Sequence, residues 1–319
     1  MEELSKIQWF VLLAALTALC VVLVYAKPVA GWLTSWAFIE ILDAASKLGI
    51  LIAVIAFLLE FPKRKERIQA ERKRAYFEYW QAIDAAASAQ TTTSHARKTA
   101  LENLAGEGVP LRNIDAPKAE LRQINLSGAD LVGANLAGAD LTDANLNRAD
   151  LSKARLYKTR LYGASLLDAK LNGADLRQVV YDTQTRFPNG AEPGNRGAYL
   201  IAPEVSLPAV QLPGAIFWGV NLTGANLRSA NFAEASFSGA LLKDVNFQEA
   251  NLENARFRIA NLEGANLKNA NIKDAYFWGA KGLTVEQVKA AQNWEDAYYS
   301  PELCVELGIC YRERPRKAE

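Results

Sequence analysis

The chain has 319 residues, half of them hydrophobic, and its 36 Lys and Arg nearly balance its 35 Asp and Glu, leaving a formal net charge of +1. This length allows about two domains, and the balanced charge favours neither a polyanionic nor a polycationic partner. One histidine and three cysteines argue against His-ligated metal sites, Ser–His–Asp catalysis and a disulfide framework. The composition therefore predicts a protein that is not an enzyme and that uses no metal or cofactor.

The first 62 residues are interpreted as two transmembrane helices. Residues 7–26 form a run of twenty residues without a charge, which is long enough for a helix to cross a hydrocarbon core of ~30 Å. A cleaved signal peptide is the alternative for this run, because small residues end it. Residues 36–61 are the second candidate span, which must include Asp43 and Lys47, two residues that can pair across one helical turn. A re-entrant or interfacial helix is the alternative for that segment.

A cluster of basic residues follows directly: Lys63, Arg64, Lys65 and Arg67. Basic residues accumulate on the cytoplasmic side of membrane helices. The pattern therefore predicts an integral protein of the plasma or thylakoid membrane whose two termini and main body are cytoplasmic. The same four side chains are candidates for contacts with anionic lipid headgroups of the bilayer.

Residues 63–108 are interpreted as a basic helical connector. Residues 63–90 contain neither Gly nor Pro, and apolar residues recur at helical spacing. Polar residues at 91–94 interrupt or cap the helix, and a Gly and Pro cluster at 106–110 ends the segment. Two roles remain open: the connector packs on the open end of the main body, or it forms a short coiled coil that makes a homodimer.

The main body repeats every five residues. Every fifth residue from Leu121 to Leu176 is Leu, at twelve positions, and the pattern resumes one residue out of phase from Leu212 to Phe277, at fourteen positions. Those fourteen hold seven Leu, six Phe and one Ile, and the residue two places earlier is Ala at 21 of all 26 positions. A period of five fits neither a helix nor a continuous strand, so each repeat is interpreted as a very short strand followed by a polar corner. Repetition then coils the chain into a solenoid with Leu or Phe inside and coils ~4.8 Å apart.

The tandem pattern A(D/N)LXX, as in ADLVG, ANLAG and ADLTD, resembles the signature of the pentapeptide-repeat family. The resemblance covers residues 109–181 and 207–282. It implies a mainly β fold, a right-handed four-sided β-helix with about twenty residues per coil and about seven coils over residues 109–282. The flanking segments are similar to those of membrane-anchored members that are mostly cyanobacterial.

The repeats are interrupted at residues 182–206, which are rich in Pro and Gly turn sequences. The interruption holds one residue more than a whole number of repeats, so a loop that bulges from one coil is predicted. Binding of a partner by this loop is the alternative.

Residues 283–319 are interpreted as a helical cap and tail. A capping-box pattern at Thr284 starts a helix that is expected to reach about Asp296, and a second helix is expected from Pro301 to Gly308. Such a cap covers the apolar end and the open strand edges of a solenoid.

Outward aromatic residues form the candidate partner-binding surface: Trp218, Trp278, Tyr157, Tyr162 and, in the interruption, Phe187. Trp218 and Trp278 are sixty residues apart, which places both on one face if a coil has about twenty residues. Large exposed aromatic side chains are typical of interaction hot spots. The alternative is that neighbouring long side chains or the cap cover them.

The charge pattern of the repeats disfavours nucleic acid as a partner. Residues 109–282 hold nineteen Lys and Arg against seventeen Asp and Glu, and the densest basic zone forms a belt around one coil rather than a patch. Some pentapeptide-repeat proteins imitate DNA and bind topoisomerases through an acidic face. That role is the less favoured one here, because the repeats have no net acidity.

Together these features predict a membrane-anchored, non-enzymatic protein-interaction scaffold that displays a rigid cytoplasmic β-helix to an unidentified protein partner. The alternative is an accessory or regulatory subunit of a membrane transport or photosynthetic complex that acts through its intramembrane helices. Replacing Asp43 and Lys47 together by Leu distinguishes the two, because only the intramembrane regulator would lose its effect.

Overall fold

The structure is a computed structural model that describes residues 36–89 and 91–309. It divides into two compact units, Met1–Ala75 and Tyr76–Glu319. Helix α1, Trp36–Ser88, begins in the first unit and ends in the second.

In the first unit, α1 runs without a break through Pro62, where the sequence suggested a boundary between a membrane span and a connector. Within residues 36–89 and 91–309, none of the helices combines the length and the apolar character needed to cross a bilayer. The transmembrane hairpin therefore has no support in this part of the chain, and the first expected span, residues 7–26, lies outside the described residues. Lys65 and Arg67 are exposed, whereas the side chains of Lys63 and Arg64 lie outside the described part.

In the second unit, two helices close the first coil of the repeats. The end of α1 contributes Ile83, and α2, His95–Gly106, contributes Leu101 and Leu104 to the same buried cluster as the first repeats. The hydroxyl of Ser94 accepts a hydrogen bond of 3.1 Å from the backbone N–H of Arg97 and so caps α2. The connector thus packs on the end of the solenoid, one of the two roles expected; dimer formation stays a prediction.

The repeats form a solenoid in which residues twenty positions apart pair as parallel β-bridges. Asp115 pairs with Asn135 and Asn135 with Arg155, and four such columns of bridges follow one another along the chain. We name the four sides A, B, C and D after Asn135, Asp140, Asn145 and Asp150; in the later repeats the columns that begin at positions 216, 221, 206 and 211 continue A, B, C and D respectively. The five-residue period and the coil of about twenty residues are therefore confirmed.

The inward positions explain the sequence pattern. The Leu or Phe of each repeat and the Ala two places before it both point into the bore, and nearly all of them are fully buried. The second residue of each corner has a positive φ, for example 71° at Gly133 and 58° at Asp143. Gly fits best there, because residues with a β-carbon are strained in that region. Among those residues, Asn and Asp tolerate a positive φ best.

The interruption divides the solenoid into two stacks of coils, a first stack of residues 109–203 and a second stack of residues 204–282. Strand β1, Val180–Tyr181, pairs in parallel with β2, Tyr199–Leu200. The paired residues are nineteen positions apart, one fewer than in a regular coil. The neighbouring bridge joins Ser165 to Arg186, which are twenty-one positions apart, one more than in a regular coil. The phase slip is thus absorbed within a single irregular coil, as a bulging loop requires.

The two stacks meet at a joint that has no β-ladder. Within residues 91–309, no backbone hydrogen bond connects a residue before Glu204 to any residue from Glu204 onward. The buried apolar residues also form two clusters that change over at the same place. Apolar packing holds the joint, with Tyr162, Val180 and Ile201 of the first stack lying against the core of the second.

The second stack has an aromatic core. Phe217, Phe237, Phe257 and Phe277 lie one above another with ring centroids 4.9 to 5.2 Å apart and nearly parallel planes. Tyr299 of the cap continues this column at 5.6 Å, and its hydroxyl donates to the carbonyl of Trp294 at 2.8 Å. The cap therefore completes the core of the repeats instead of only covering it.

The cap is made of two short helices. Helix α3, Val285–Lys289, begins with the capping box of Thr284 and Gln287, and α4, Pro301–Leu307, ends at Gly308. Helix α3 stops well before residue 296, because Asn293 adopts a left-handed conformation with φ of 56° and a 3₁₀ turn, Trp294–Asp296, follows. Burial raises the pKa of the Cys304 thiol in α4, and Glu302 adds to the effect.

A candidate interaction surface and the cleft beside it

Exposed large apolar side chains concentrate on one side of the second stack. We call this set the apolar edge, and its members are Ile216, Trp218, Leu241, Ile259 and Trp278. Trp218 is 63% exposed and Ile259 57%, whereas the inward Leu and Phe beside them are buried. In the repeats of the first stack, only Leu167 has a comparable exposure.

The coil geometry brings these residues together. The N–H of Gly219 donates to Ser238, that of Gly239 to Arg258, and that of Ile259 to Trp278, at 2.9 to 3.2 Å. Trp218, Ile259 and Trp278 therefore follow the corner between sides A and B. Ile216 and Leu241 lie on the adjoining sides A and B. The same-face placement of the two tryptophans agrees with their sixty-residue spacing.

The other two sides of the second stack are polar. On side D, the side-chain amide of Asn251 donates to Asn231 and that of Asn271 to Asn251, both at 3.2 Å. Asn226, Asn246 and Asn266 form a similar ladder on side C. These amides also accept from backbone N–H groups two residues ahead, so their hydrogen bonds are used within the protein. Sides C and D offer a partner few unsatisfied groups.

The remaining predicted aromatic residues lie elsewhere. Tyr157 is half-buried between Lys158 and Arg177, whose charged groups lie 5.5 and 5.9 Å from its ring. Phe187 packs edge-on against Tyr181 at 5.1 Å and lies against the first core, so it serves the irregular coil. The structure thus places Trp218 and Trp278 on one edge, but neither Tyr157 nor Phe187 joins them.

A cleft of about 350 Å³ lies at the joint, next to Trp218. Its apolar wall comes from both stacks and includes Ile201, Pro203, Ile216 and Trp218. Tyr162 lines the cleft as well, so two of the predicted site residues meet here. A cleft forms at this point because the β-ladder that would bring neighbouring coils together is missing across the joint.

The polar wall of the cleft contains a buried ion pair. Arg160 lies 2.9 Å from Asp140, and their side chains are only 16% and 9% exposed. The backbone N–H and the hydroxyl of Thr142 donate to the other carboxylate oxygen at 3.0 and 2.5 Å. Burial opposes ionisation of Asp140, but the hydrogen bonds from Arg160 and Thr142 outweigh it, so the pKa of Asp140 lies below its ordinary value.

A buried hydroxyl without a partner lies close to this pair. Tyr162 Oη is buried and makes no hydrogen bond with any described residue. Burial raises the pKa of Tyr162 above its ordinary range. Among the nearby charges, the positive charge of Arg160 has the largest effect, and it lowers this pKa. Such an unpaired group normally costs about 1–3 kcal/mol, so its position beside a cleft calls for an explanation.

The Asp140–Arg160 pair was not singled out from the sequence, although its signal was present. The two residues are twenty apart with opposite charges, as are Lys243 and Glu263, which pair at 2.8 Å. What the sequence could not show is that side B beside the joint is buried. Within the described residues, no group of His, Cys, Asp and Glu is arranged to hold a metal ion.

Comparison with known proteins gives one family. A pentapeptide-repeat model matches residues 111–143, 119–156 and 139–178, and a related pentapeptide-repeat-region model matches residues 210–283. No curated protein matches the chain.

Several solved structures are similar. HetL, a pentapeptide repeat protein involved in heterocyst differentiation regulation in Nostoc sp. strain PCC 7120, is 29% identical over 60% of this chain and 86% of its own, with a TM-score of 0.22. A pentapeptide repeat protein from the Arabidopsis thaliana thylakoid lumen is 23% identical over 49% and 73%, with a TM-score of 0.15. Rfr23 from the cyanobacterium Cyanothece 51142 is 20% identical over 49% and 82%, with a TM-score of 0.14.

Proposed function

The chain belongs to the pentapeptide-repeat family, and we propose that it is a non-enzymatic scaffold that binds a protein partner through the apolar edge. Proteins of this family are generally structural or interaction proteins. The observation that carries the proposal is the alignment of three exposed apolar side chains along one corner of a rigid stack, with two more on the adjoining sides. Exposed aromatic residues with apolar neighbours on a rigid support are the usual centre of a protein interface.

The rigidity of the second stack favours this role. The apolar edge is carried by coils that are hydrogen-bonded to one another and filled by stacked Phe side chains. A partner that binds such a surface does not have to order it first, so little binding free energy is lost. The polar ladders on sides C and D leave the apolar edge as the preferred contact.

We further propose that residues 7–26 tether the scaffold to a bilayer. The support is the uncharged run of twenty residues in the sequence, followed after residue 62 by basic residues that suit a cytoplasmic membrane surface. Leu16→Arg places a charge near the centre of that run at a cost of about 3 kcal/mol. We expect the wild-type chain to stay in the membrane fraction after alkaline carbonate washing and the Leu16→Arg chain to be released.

The basic residues give a second test of the membrane proposal. Lys63, Arg64, Lys65 and Arg67 are expected to contact anionic headgroups, each contributing about 1 kcal/mol near the surface. Changing Lys65 and Arg67 to Gln should weaken retention of the Leu16→Arg chain on phosphatidylserine vesicles. Equal retention with and without the two charges would remove headgroup contacts from the proposal.

Co-purification after crosslinking tests the partner surface. Trp218→Ala and Ile259→Ser should each lose the crosslinked partner that the wild-type chain retains. Leu167→Ala is the matched control, because Leu167 is 40% exposed and apolar but lies on the first stack. If the Leu167 variant loses the partner while both edge variants keep it, the interaction surface lies elsewhere.

A further inference from the structure

The cleft at the joint has unused hydrogen-bond donors. Asp140 is the one ion-pair partner of Arg160 in the described part of the chain, which leaves most of the guanidinium N–H groups available. Arg122 is exposed on the cleft lining and pairs with no carboxylate among the described residues. Tyr162 Oη, which can donate one hydrogen bond, has no partner among the residues that the structure describes.

The acceptors of the same wall are largely occupied. Both oxygens of Asp140 accept hydrogen bonds, from Thr142 and from Arg160. One oxygen of Asp182 accepts from the N–H groups of Gly163, Gln184 and Thr185 and from the Thr185 hydroxyl. A ligand that enters the cleft therefore meets free donors on Arg160, Arg122 and Tyr162, whereas the carboxylates of this wall offer one oxygen, on Asp182, that accepts no hydrogen bond from a described residue. This imbalance favours a ligand group that accepts hydrogen bonds and carries negative charge.

The opposite wall of the cleft is apolar, so it favours a ligand whose negatively charged group is attached to an apolar group. The rings of Trp218 and Pro203 and the side chains of Ile201 and Ile216 line it. A volume of about 350 Å³ holds a group of the size of a phenyl ring with a short chain, near the lower end of ordinary ligand pockets.

We propose that this cleft binds a carboxylate attached to a compact apolar group. The carboxylate oxygens accept from Arg160 and Arg122, and from Tyr162 Oη after a small rotation of its ring, while the apolar group lies between Pro203 and Trp218. The carboxylate can belong to a free organic acid or to the end of a peptide chain, since both present the same chemistry. The cleft and the apolar edge are different sites that share Ile216 and Trp218.

Calorimetric titration of the full-length chain in detergent tests the ligand chemistry. The probes are 3-phenylpropionate, the uncharged 3-phenylpropionamide and the cationic 3-phenylpropylamine, which differ only in the polar group. The acid should bind, and the amide and the amine should bind at least about tenfold more weakly. The fluorine resonance of 5-fluorotryptophan at position 218, assigned with Trp218→Phe, should shift on addition of the acid.

Two conservative variants test the donors. Tyr162→Phe removes only the hydroxyl and should weaken binding of the acid about tenfold, and Arg122→Gln should weaken it several-fold. Tyr157→Phe is the matched control, because Tyr157 lies outside the cleft in the same stack, and it should bind like the wild type. Ile259→Ser should also leave acid binding unchanged, which separates this site from the partner surface.

The peptide Ala-Ala-Phe with a free carboxylate identifies the source of the ligand. Tighter binding than 3-phenylpropionate indicates a chain terminus, and weaker binding indicates a small acid; both results support the proposal. Equal binding of the acid and the amide, tighter binding of the amine, or wild-type affinity in both Tyr162→Phe and Arg122→Gln would overturn it. An unmoved resonance of Trp218 would overturn it as well.

Discussion

The two stacks share one backbone plan and differ in the residues that fill their cores and in several sets of outward side chains. The first stack has a Leu core and pairs carboxylates with basic residues, as in Asp140 with Arg160 and Asp150 with Lys170. The second stack has a Phe column, two Asn ladders and the apolar edge. The comparison shows that the buried inward residues determine the geometry of the coil, whereas the outward residues can differ between the stacks without changing it. The missing ladder at the joint allows the two stacks to respond separately to change.

The largest effect is expected from the Phe column. Phe237→Ala removes a fully buried ring that stacks between Phe217 and Phe257, which should cost about 3–5 kcal/mol. Hydrogen exchange of the full-length chain should show lost protection over residues 212–283 and nearly unchanged protection over residues 111–178. Leu141→Ala, a buried core change in the first stack, should show the reverse. Equal losses in both stacks after either change would mean that the joint transmits unfolding.

The buried ion pair should make the first stack sensitive to a single polar change. Asp140→Ala leaves the Arg160 charge buried without a partner and should cost about 3 kcal/mol in the free energy of unfolding. Lys170→Met breaks the matching surface pair with Asp150 and should cost less than about 1 kcal/mol, since Lys170 is mostly exposed. Denaturant unfolding measures both, and similar costs would contradict the assignment of a buried pair.

The same pair predicts a pH dependence with a definite sign. The folded-state pKa of Asp140 lies below its ordinary value of 3.8, so its stabilising contribution is fully present above about pH 4. That contribution is lost as the pH falls from 3.8 through the lower folded-state pKa. The stability difference between the wild-type chain and Asp140→Asn should therefore shrink below pH 4 in denaturant unfolding. A difference that stays constant down to pH 2 would show that folding does not lower the pKa of Asp140.

The Asn ladders of the second stack should contribute smaller amounts. Asn251→Ala removes two ladder hydrogen bonds, with Asn231 and with Asn271, and the turn hydrogen bond that the backbone N–H of Glu253 donates to Asn251, which together should cost about 1–2 kcal/mol. Asn251→Asp should cost more in the free energy of unfolding than the reverse change, Asp150→Asn, on side D of the first stack. The reason is that a carboxylate at position 150 pairs with Lys170, whereas a carboxylate at position 251 gains no such partner and loses the amide donor to Asn231. Thermal unfolding compares them, and equal costs would show that the two ladders are interchangeable.

The smallest effect on stability is expected where the effect on partner binding is largest. Trp218→Ala should change the free energy of unfolding by no more than about 0.5 kcal/mol, since the side chain is 63% exposed. Denaturant unfolding checks this value. A loss of several kcal/mol would show that Trp218 holds the joint together, and a binding defect in this variant would then have no simple meaning.

Much of the repeat fold could be predicted from the sequence, because an inward residue at every fifth position has few solutions. The twenty-residue coil, the absorbed phase slip, the capping box at Thr284 and the end of the last helix at Gly308 all follow from local patterns. The expected length of the cap helix was wrong, since Asn293 turns the chain earlier than helical periodicity suggests. The expected second membrane span, residues 36–61, has no support in the structure, and the first, residues 7–26, lies outside the described residues and stays a proposal.

The candidate site was harder to predict, because it depends on contacts that no local pattern contains. The sequence indicated that Trp218 and Trp278 share a face, but not that Ile259 would join them at one corner or that Ile216 and Leu241 would flank it. The cleft exists because the β-ladder is missing at the joint, which becomes visible only once the pairing partners of the irregular coil are known.

Site-specific photocrosslinking in cells tests the central claim most directly. A benzoylphenylalanine at position 259 lies on the apolar edge, and one at position 268 lies on the opposite corner between sides C and D, where Lys268 is also exposed. The scaffold account predicts a discrete crosslinked protein from position 259 and none from position 268. A partner captured from position 268 and not from position 259 would contradict it.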